Sequence, residues 1–200
     1  KKIETTRARF RAMLLECDYV IRSAFKVLRR VHEGELPFDR TVQVSVTDAL
    51  EKDQILGRLP HNLRTLSVLL KRNRRDYRIA LTKSISKGKR RPAWQRLARQ
   101  RRRSVRLVEE LGLRTQRIEP MIKVLEEFSK RVNELRQRIV THKRARGPIA
   151  ERKPWLSEYR SILIACQETP TSLRTRIARI KAVYAEYQQA KRELSEGNLR

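Results

Sequence analysis

The residue types that most often do chemistry are few and scattered in this 200-residue chain. His32, His61 and His142 lie far apart without the spacing of metal ligands, so surface or helix-end roles fit them better than coordination. Cys17 and Cys166 are isolated, have neither metal nor redox spacing, and read as buried, reduced thiols. Glu109-Glu110 and Glu126-Glu127 sit among arginines, where ion pairing explains a carboxylate better than acid/base work does. No glycine-rich loop is present to cradle a phosphate. The expectation is a binding or scaffold protein and not an enzyme, with no catalytic residue, metal or cofactor.

The chemistry left is electrostatic. Forty-nine Lys and Arg against twenty-two Asp and Glu give a net charge of +27, which calls for a polyanion or an acidic protein surface as partner. From Lys71 to Arg106 there are sixteen basic residues and one acid, Asp76, so a local excess of +15 sits in that stretch. Within it Lys89, Arg90, Arg91, Arg101, Arg102 and Arg103 are the candidate DNA contacts. Binding of this kind is driven by counterion release, its log affinity falls with log salt at a slope of about −0.9 per phosphate neutralised, and it steers without reading sequence. Trp94 is a candidate for stacking on a base, although an aromatic at helical spacing more often packs in a core.

Positioning such a surface needs helices. Aromatics are only 6% and charged residues 36%, which favours an all-α chain, arranged as an elongated helical bundle with one extended linker segment. Phe10, Leu14, Cys17, Ile21, Ala24, Leu28 and Val31 step by three and four, predicting one helix from the start of the chain to His32, stopped by Gly34 and Pro37. Val42, Val44 and Val46 alternate with polar residues, but no second strand is evident, so they read as the extended linker. Asp48 and Glu51 cap a short helix that ends at Gly57, and Pro60 opens the next one, with Leu63, Leu66, Leu70, Tyr77 and Leu81 apolar and Asn73 polar in the seam.

Ser84 to Pro92 reads as a basic hairpin tip, followed by a helix from Pro92 to Leu111 with Trp94, Leu97, Val105 and Val108 on one side. Gly112 and Pro120 bracket a break. Ile118, Met121, Leu125, Phe128, Val132, Leu135 and Ile139 then form a second long stripe, the expected antiparallel partner of the first helix. Arg144 to Pro148 and Lys153-Pro154 read as a second basic loop. Trp155, Tyr159, Ile162, Leu163 and Cys166 mark a shorter helix. Thr169-Pro170 starts the last one, lined by Leu173, Ile177, Ile180, Tyr184, Tyr187 and Leu194. No apolar run approaches the ~20 residues of a membrane span, and no signal peptide opens the chain, so a soluble cytoplasmic protein is expected.

The two extremities carry family signals. Ala190-Lys-Arg-Glu-Leu-Ser-Glu-Gly-Asn-Leu-Arg200, following Tyr184-Ala-Glu-Tyr187, has the order Ala-Lys-x-x-Leu-x-x-x-Asn-Leu-Arg. It resembles the opening of conserved region 2.1 in primary (housekeeping) sigma factors of bacterial RNA polymerase. Lys1-Lys-Ile-Glu4 is similar to the end of that family's region 1.2. The resemblance covers about a tenth of the chain, and implies residues 1-4 as the end of region 1.2, 5-187 as the family's non-conserved helical insertion and 188-200 as the start of region 2.1. The whole of 1-200 is then one helical domain fragment of a longer, nucleoid-associated protein whose partners are RNA polymerase core and promoter DNA, with no membrane and no small-molecule substrate.

By the same resemblance Asn198 matches the Asn that helps hold a flipped non-template base at the downstream end of the −10 element. A helix C-cap after Gly197 is the alternative. Arg200 matches the motif's Arg, which faces the same strand or packs in the domain. The family's main −10 reading helix, principal clamp contact and −35 module would follow Arg200, so this stretch should not recognise a promoter alone. The basic face would meet upstream DNA or an acidic polymerase surface. The rival reading is a stand-alone basic helical protein that binds RNA or ribosomes. A membrane-surface role ranks last, for want of a bulky exposed apolar face.

Overall fold

A computed structural model describes residues 2–44 and 49–197. Among them the fold is all-α, with helices α1 (Lys2–Leu15), α2 (Asp18–His32), α3 (Phe38–Thr41), α4 (Ala49–Leu81), α5 (Lys87–Glu109), α6 (Met121–Arg144), α7 (Ile149–Cys166) and α8 (Pro170–Gly197), and a 3-10 turn at Thr115–Arg117. Packing divides the helices into two compact units. One gathers α1 with everything from Pro120 onward, and the other runs from Leu15 to Glu119.

The first stripe is buried as its period predicts, with Phe10, Leu14, Cys17, Ile21, Ala24 and Leu28 all at most 1% exposed. The helix carrying it is not continuous. The chain turns at Glu16 and extends at Cys17 (ψ 125°), so the expected helix to His32 is two helices that belong to different units. The turn leaves Asp18 in the first turn of α2, where a carboxylate suits the positive end of the helix dipole. Gly34, at φ +78°, stops α2 in the left-handed conformation that glycine adopts without strain.

In the Leu15–Glu119 unit, α2, α4 and α5 pack against one another. The helix expected to end at Gly57 does not, and Pro60 opens nothing, because α4 passes through both. A proline inside a helix costs about 3 kcal/mol through its lost N–H and its clash with the preceding turn. Continuity keeps Ile55, Leu59, Leu63 and Leu66 on one buried stripe, each at most 7% exposed and each contributing roughly 1.5–3 kcal/mol, so burial outweighs the break. Leu69 and Ala80 are buried on this stripe, while Leu81, expected to face inward, is 39% exposed.

At the centre of the unit Asp18 is fully buried. It accepts from Arg101 at 2.6 Å and from Asn73 at 3.0 Å, one partner on α5 and one on α4. Burial pushes its carboxyl above the ordinary value, with Arg101, Asn73 and Arg22 opposing the rise. Gly112, at φ +64°, lets its carbonyl accept from the Gln43 N–H at 2.8 Å, beside an isolated antiparallel bridge between Val42 and Leu113. That bridge is what the valine alternation produces up to Val44. Val46 and the Asp48 cap lie outside the described residues.

The Ser84–Pro92 stretch expected to be a loop is mostly helix, since α5 begins at Lys87 and carries Pro92 inside it. Lys153-Pro154, likewise expected in a loop, lies in the second turn of α7. In the unit containing α1, the α6 stripe packs against α7 and α8, whereas α2, the longer half of its expected partner, packs against α4 and α5. Phe10 of α1 lies against Tyr184 and Tyr187 of α8, with centroids 5.1 and 5.7 Å away. Thr169 caps α8 as its position predicts, its hydroxyl oxygen accepting from the Ser172 N–H at 3.1 Å. Leu194, expected inward, is 51% exposed, and Val183 and Ala190 are buried instead.

Two outcomes follow for stability. Removing one partner of the buried pair, as in Arg101→Met or Asp18→Leu, is expected to cost about 3–5 kcal/mol in urea unfolding, and the double substitution to recover much of it. A loss below about 1 kcal/mol in the single variants would show that the pair does not hold the unit. In the other unit Arg131 grips Glu158 with two hydrogen bonds, at 2.6 and 2.8 Å, and holds its carboxyl below the ordinary 4.5. A lowered folded-state pKa contributes stability above pH 4.5 that is lost as pH falls through the folded value. Thermal melts of Glu158→Gln against the parent chain should therefore converge on acidification, and a gap independent of pH would refute this.

Candidate nucleic-acid interface

The basic stretch folds into the α4–α5 hairpin, the most extensive helix pairing in the structure. Its single acid, Asp76, is buried and already engaged by Arg96 at 2.9 Å and Gln100 at 3.0 Å across the seam. The outward side chains of α4 are Lys71, Arg72, Arg74, Arg75 and Arg78, and those of α5 include Arg99, Arg102, Arg103 and Arg106, all exposed. None of these nine pairs with a carboxylate among the described residues. Residues three, four or seven apart share a helix side. Arg72 on α4, four before Asp76, and Arg99 and Arg103 on α5, three and seven after Arg96, therefore border the α4–α5 seam.

The predicted contacts separate into three groups. Lys89 and Arg91 are exposed and Arg90 is half-buried, all on the first turns of α5 and not on a loop tip. Arg102 and Arg103 lie on the exposed face as expected. Arg101 does not. It is 8% exposed, its guanidinium is held by Asp18, and it belongs to the core, so it is withdrawn from the interface. Asn198 and Arg200 lie outside the described residues. Trp94 is half-buried and edge-on to Tyr77 at 6.2 Å, a packing position within the hairpin and not an open stacking platform.

The five α4 cations were visible in the sequence only as part of a charge excess. Their common exposure appears once Asn73, Asp76, Tyr77 and Ala80 are known to face inward. The start of α5 adds a second electrostatic feature. Lys87, Lys89, Arg90 and Arg91 crowd the positive end of the helix dipole, with no acidic residue in the first turn. Like charge there opposes the dipole, and an anion would relieve it.

Other chemistry is not assembled. No group of three or more His, Cys, Asp or Glu able to hold a metal occurs among the described residues. Cys17 and Cys166 are both buried. His142 lies 2.8 Å from Glu151 and edge-on to Trp155, which gives it a packing role at the end of α6. Glu126 pairs with Lys181 at 2.8 Å, as the sequence led one to expect of that acidic pair. No helix among the described residues is long and apolar enough to cross a membrane. No protein-family model matches the chain, and no curated protein or solved structure matches it.

The exposed face makes a quantitative demand on any duplex it meets. Substituting Arg99, Arg102, Arg103 and Arg106 by Gln should flatten the slope of log affinity for random-sequence duplex DNA against log salt by about 0.9 for each phosphate no longer neutralised. Fluorescence anisotropy from low to moderate salt reads this directly. An unchanged slope would mean that this face does not meet the duplex.

Proposed function

We propose that the chain is the helical insertion of a primary sigma factor, lying between regions 1.2 and 2.1 of a protein that brings RNA polymerase to promoters and helps open them. The observation that supports this reading best is the meeting of the two stretches that resemble the family. The Lys2 ammonium lies 2.6 Å from Glu193, and further along the same two helices Arg9 lies 2.9 Å from Glu186. Between them Phe10 is fully buried against Tyr184 and Tyr187. An insertion leaves and rejoins its host at neighbouring points, so adjacent first and last helices are what this role requires.

In this reading the work is non-catalytic. The exposed cations of α4 and α5 hold DNA or an acidic polymerase surface by charge, while Asn198 contacts the non-template strand in the assembled initiation complex and Arg200 faces the same strand or packs in the domain. Contacts of the first kind fix position and carry no sequence information, so promoter choice rests with other parts of the protein.

The test is retention of RNA polymerase core and of random-sequence duplex DNA by the immobilised chain over a salt series. Core held at a salt concentration where the duplex has been released is the expected result, since duplex binding weakens steeply with salt. Nucleic acid held with no core at any salt would overturn the sigma-factor reading and favour a stand-alone RNA- or ribosome-binding protein.

A further inference from the structure

A separate concentration of charge lies in the Leu15–Glu119 unit. Asp39, Arg40, Arg114, Gln116 and Arg117 line an open cavity of about 480 Å³. Two segments 75 residues apart are joined to make it. The Val42–Leu113 bridge and the hydrogen bond from the Arg114 N–H to the Thr41 carbonyl, at 3.0 Å, fix the backbones. Side chains add to this, Arg114 Nη2 donating to the Asp39 carbonyl at 2.9 Å and Arg117 Nη2 approaching the Thr41 hydroxyl at 3.5 Å.

Among the described residues no carboxylate answers the three guanidiniums. The cavity's one acid, Asp39, turns both carboxylate oxygens to Lys52, at 3.0 and 3.2 Å. Arg40 makes no hydrogen bond or ion pair among the described residues, and Arg114 Nε is buried without a partner. Three positive charges around one cavity repel each other, and their forked donors match the oxygens of a tetrahedral or planar oxyanion.

The lining also narrows the ligand. Its side chains are one carboxylate, one amide and three guanidiniums, so charge and hydrogen bonding dominate what it can recognise. A carboxylate brings a single charge and two acceptor oxygens, whereas a free or terminal phosphate brings about two charges and three oxygens, and a nucleic acid, with one charge on each backbone phosphate, can set adjacent phosphates against the three arginines. We infer that this cavity is a phosphate-binding site, held by Arg40, Arg114 and Arg117 with Gln116 beside them. It takes a free or terminal phosphate such as pyrophosphate, or a backbone phosphate of a nucleic acid, and it does not depend on the sigma-factor reading.

The test uses the full chain. Pyrophosphate is titrated calorimetrically at constant ionic strength into the parent, into Arg40→Gln/Arg117→Gln, and into Arg174→Gln/Arg179→Gln, two exposed arginines of α8, as the reference for non-specific charge. Arg40 and Arg117 are exposed, so the first variant should melt with the parent. Saturable binding that weakens at least about tenfold in that variant, and is unchanged in the reference, is the expected result. A single-stranded oligonucleotide, with and without excess pyrophosphate, identifies the source. An oligonucleotide displaced by pyrophosphate, and weakened in the same variant, supports a backbone phosphate. One indifferent to both, beside sensitive pyrophosphate binding, supports a free phosphate. The inference is overturned if neither probe binds saturably, or if Arg40→Gln/Arg117→Gln binds both as tightly as the parent does.

Discussion

The Leu15–Glu119 unit depends on one buried carboxylate. Asp18 accepts one hydrogen bond from Arg101 on α5 and another from Asn73 on α4, and so ties α2, α4 and α5 together. Charges are costly to bury, and this pair persists because both ions are hydrogen-bonded and α2, α4 and α5 close over them. A buried pair is weak evidence of net stability, but it is strict about geometry. Only one rotation of α5 places Arg101 against Asp18, and that rotation also sends Leu97, Ser104, Val105 and Val108 inward. The same rotation turns Arg102 and Arg103 outward. The core pair thus sets the orientation of the charged face.

Arginine consequently has different roles in neighbouring positions. Arg96 neutralises the buried Asp76, Arg101 neutralises Asp18, and Arg99, Arg102, Arg103 and Arg106 neutralise nothing among the described residues. Local pairing therefore absorbs the two buried carboxylates, Asp18 and Asp76, and leaves the surplus of positive charge at the surface. Exposed pairs elsewhere, such as Lys2–Glu193, contribute little each and do not offset a net charge of +27. Self-repulsion of that size destabilises the compact state, and salt or a bound polyanion relieves it.

Much of this was legible in the sequence, to different depths. Burial periodicity was readable because it depends only on helix geometry, and Cys17, Ile21, Ala24 and Leu28 are buried accordingly. The break at Glu16 was not, because the step from Leu14 to Cys17 fits a continuous helix as well as an interrupted one. Pro60 and Pro92 misled in the opposite direction, since packing carried α4 and α5 through residues that ordinarily end helices. The role of Arg101 was in principle readable. It stands four after Leu97 and four before Val105, on the apolar stripe, but the run Arg101-Arg102-Arg103 drew attention to charge and away from position. The Arg40, Arg114 and Arg117 cavity left no local trace, because its two halves meet only through the Val42–Leu113 bridge and its neighbouring hydrogen bonds.

The two basic features of this unit differ in what they can discriminate. On α4 and α5 the cations stand on regular helices, project into solvent and are free to change rotamer, so they suit a long polyanion whose phosphates recur along a line. Such a surface gives affinity and rate, and salt screens it. In the cavity the two backbone segments are held by main-chain pairing, and the Arg114 guanidinium is fixed through the Asp39 carbonyl. Fixed donors lose less freedom on binding, and they favour an oxyanion of matching shape over charge in general. Any ligand that either feature binds only in the folded state adds to the stability of the same three-helix core by mass action. The constraint at Asp18 and the charge it turns outward are thereby coupled, since a polyanion that binds α5 in its folded orientation also favours the helix rotation that places Arg101 in the core.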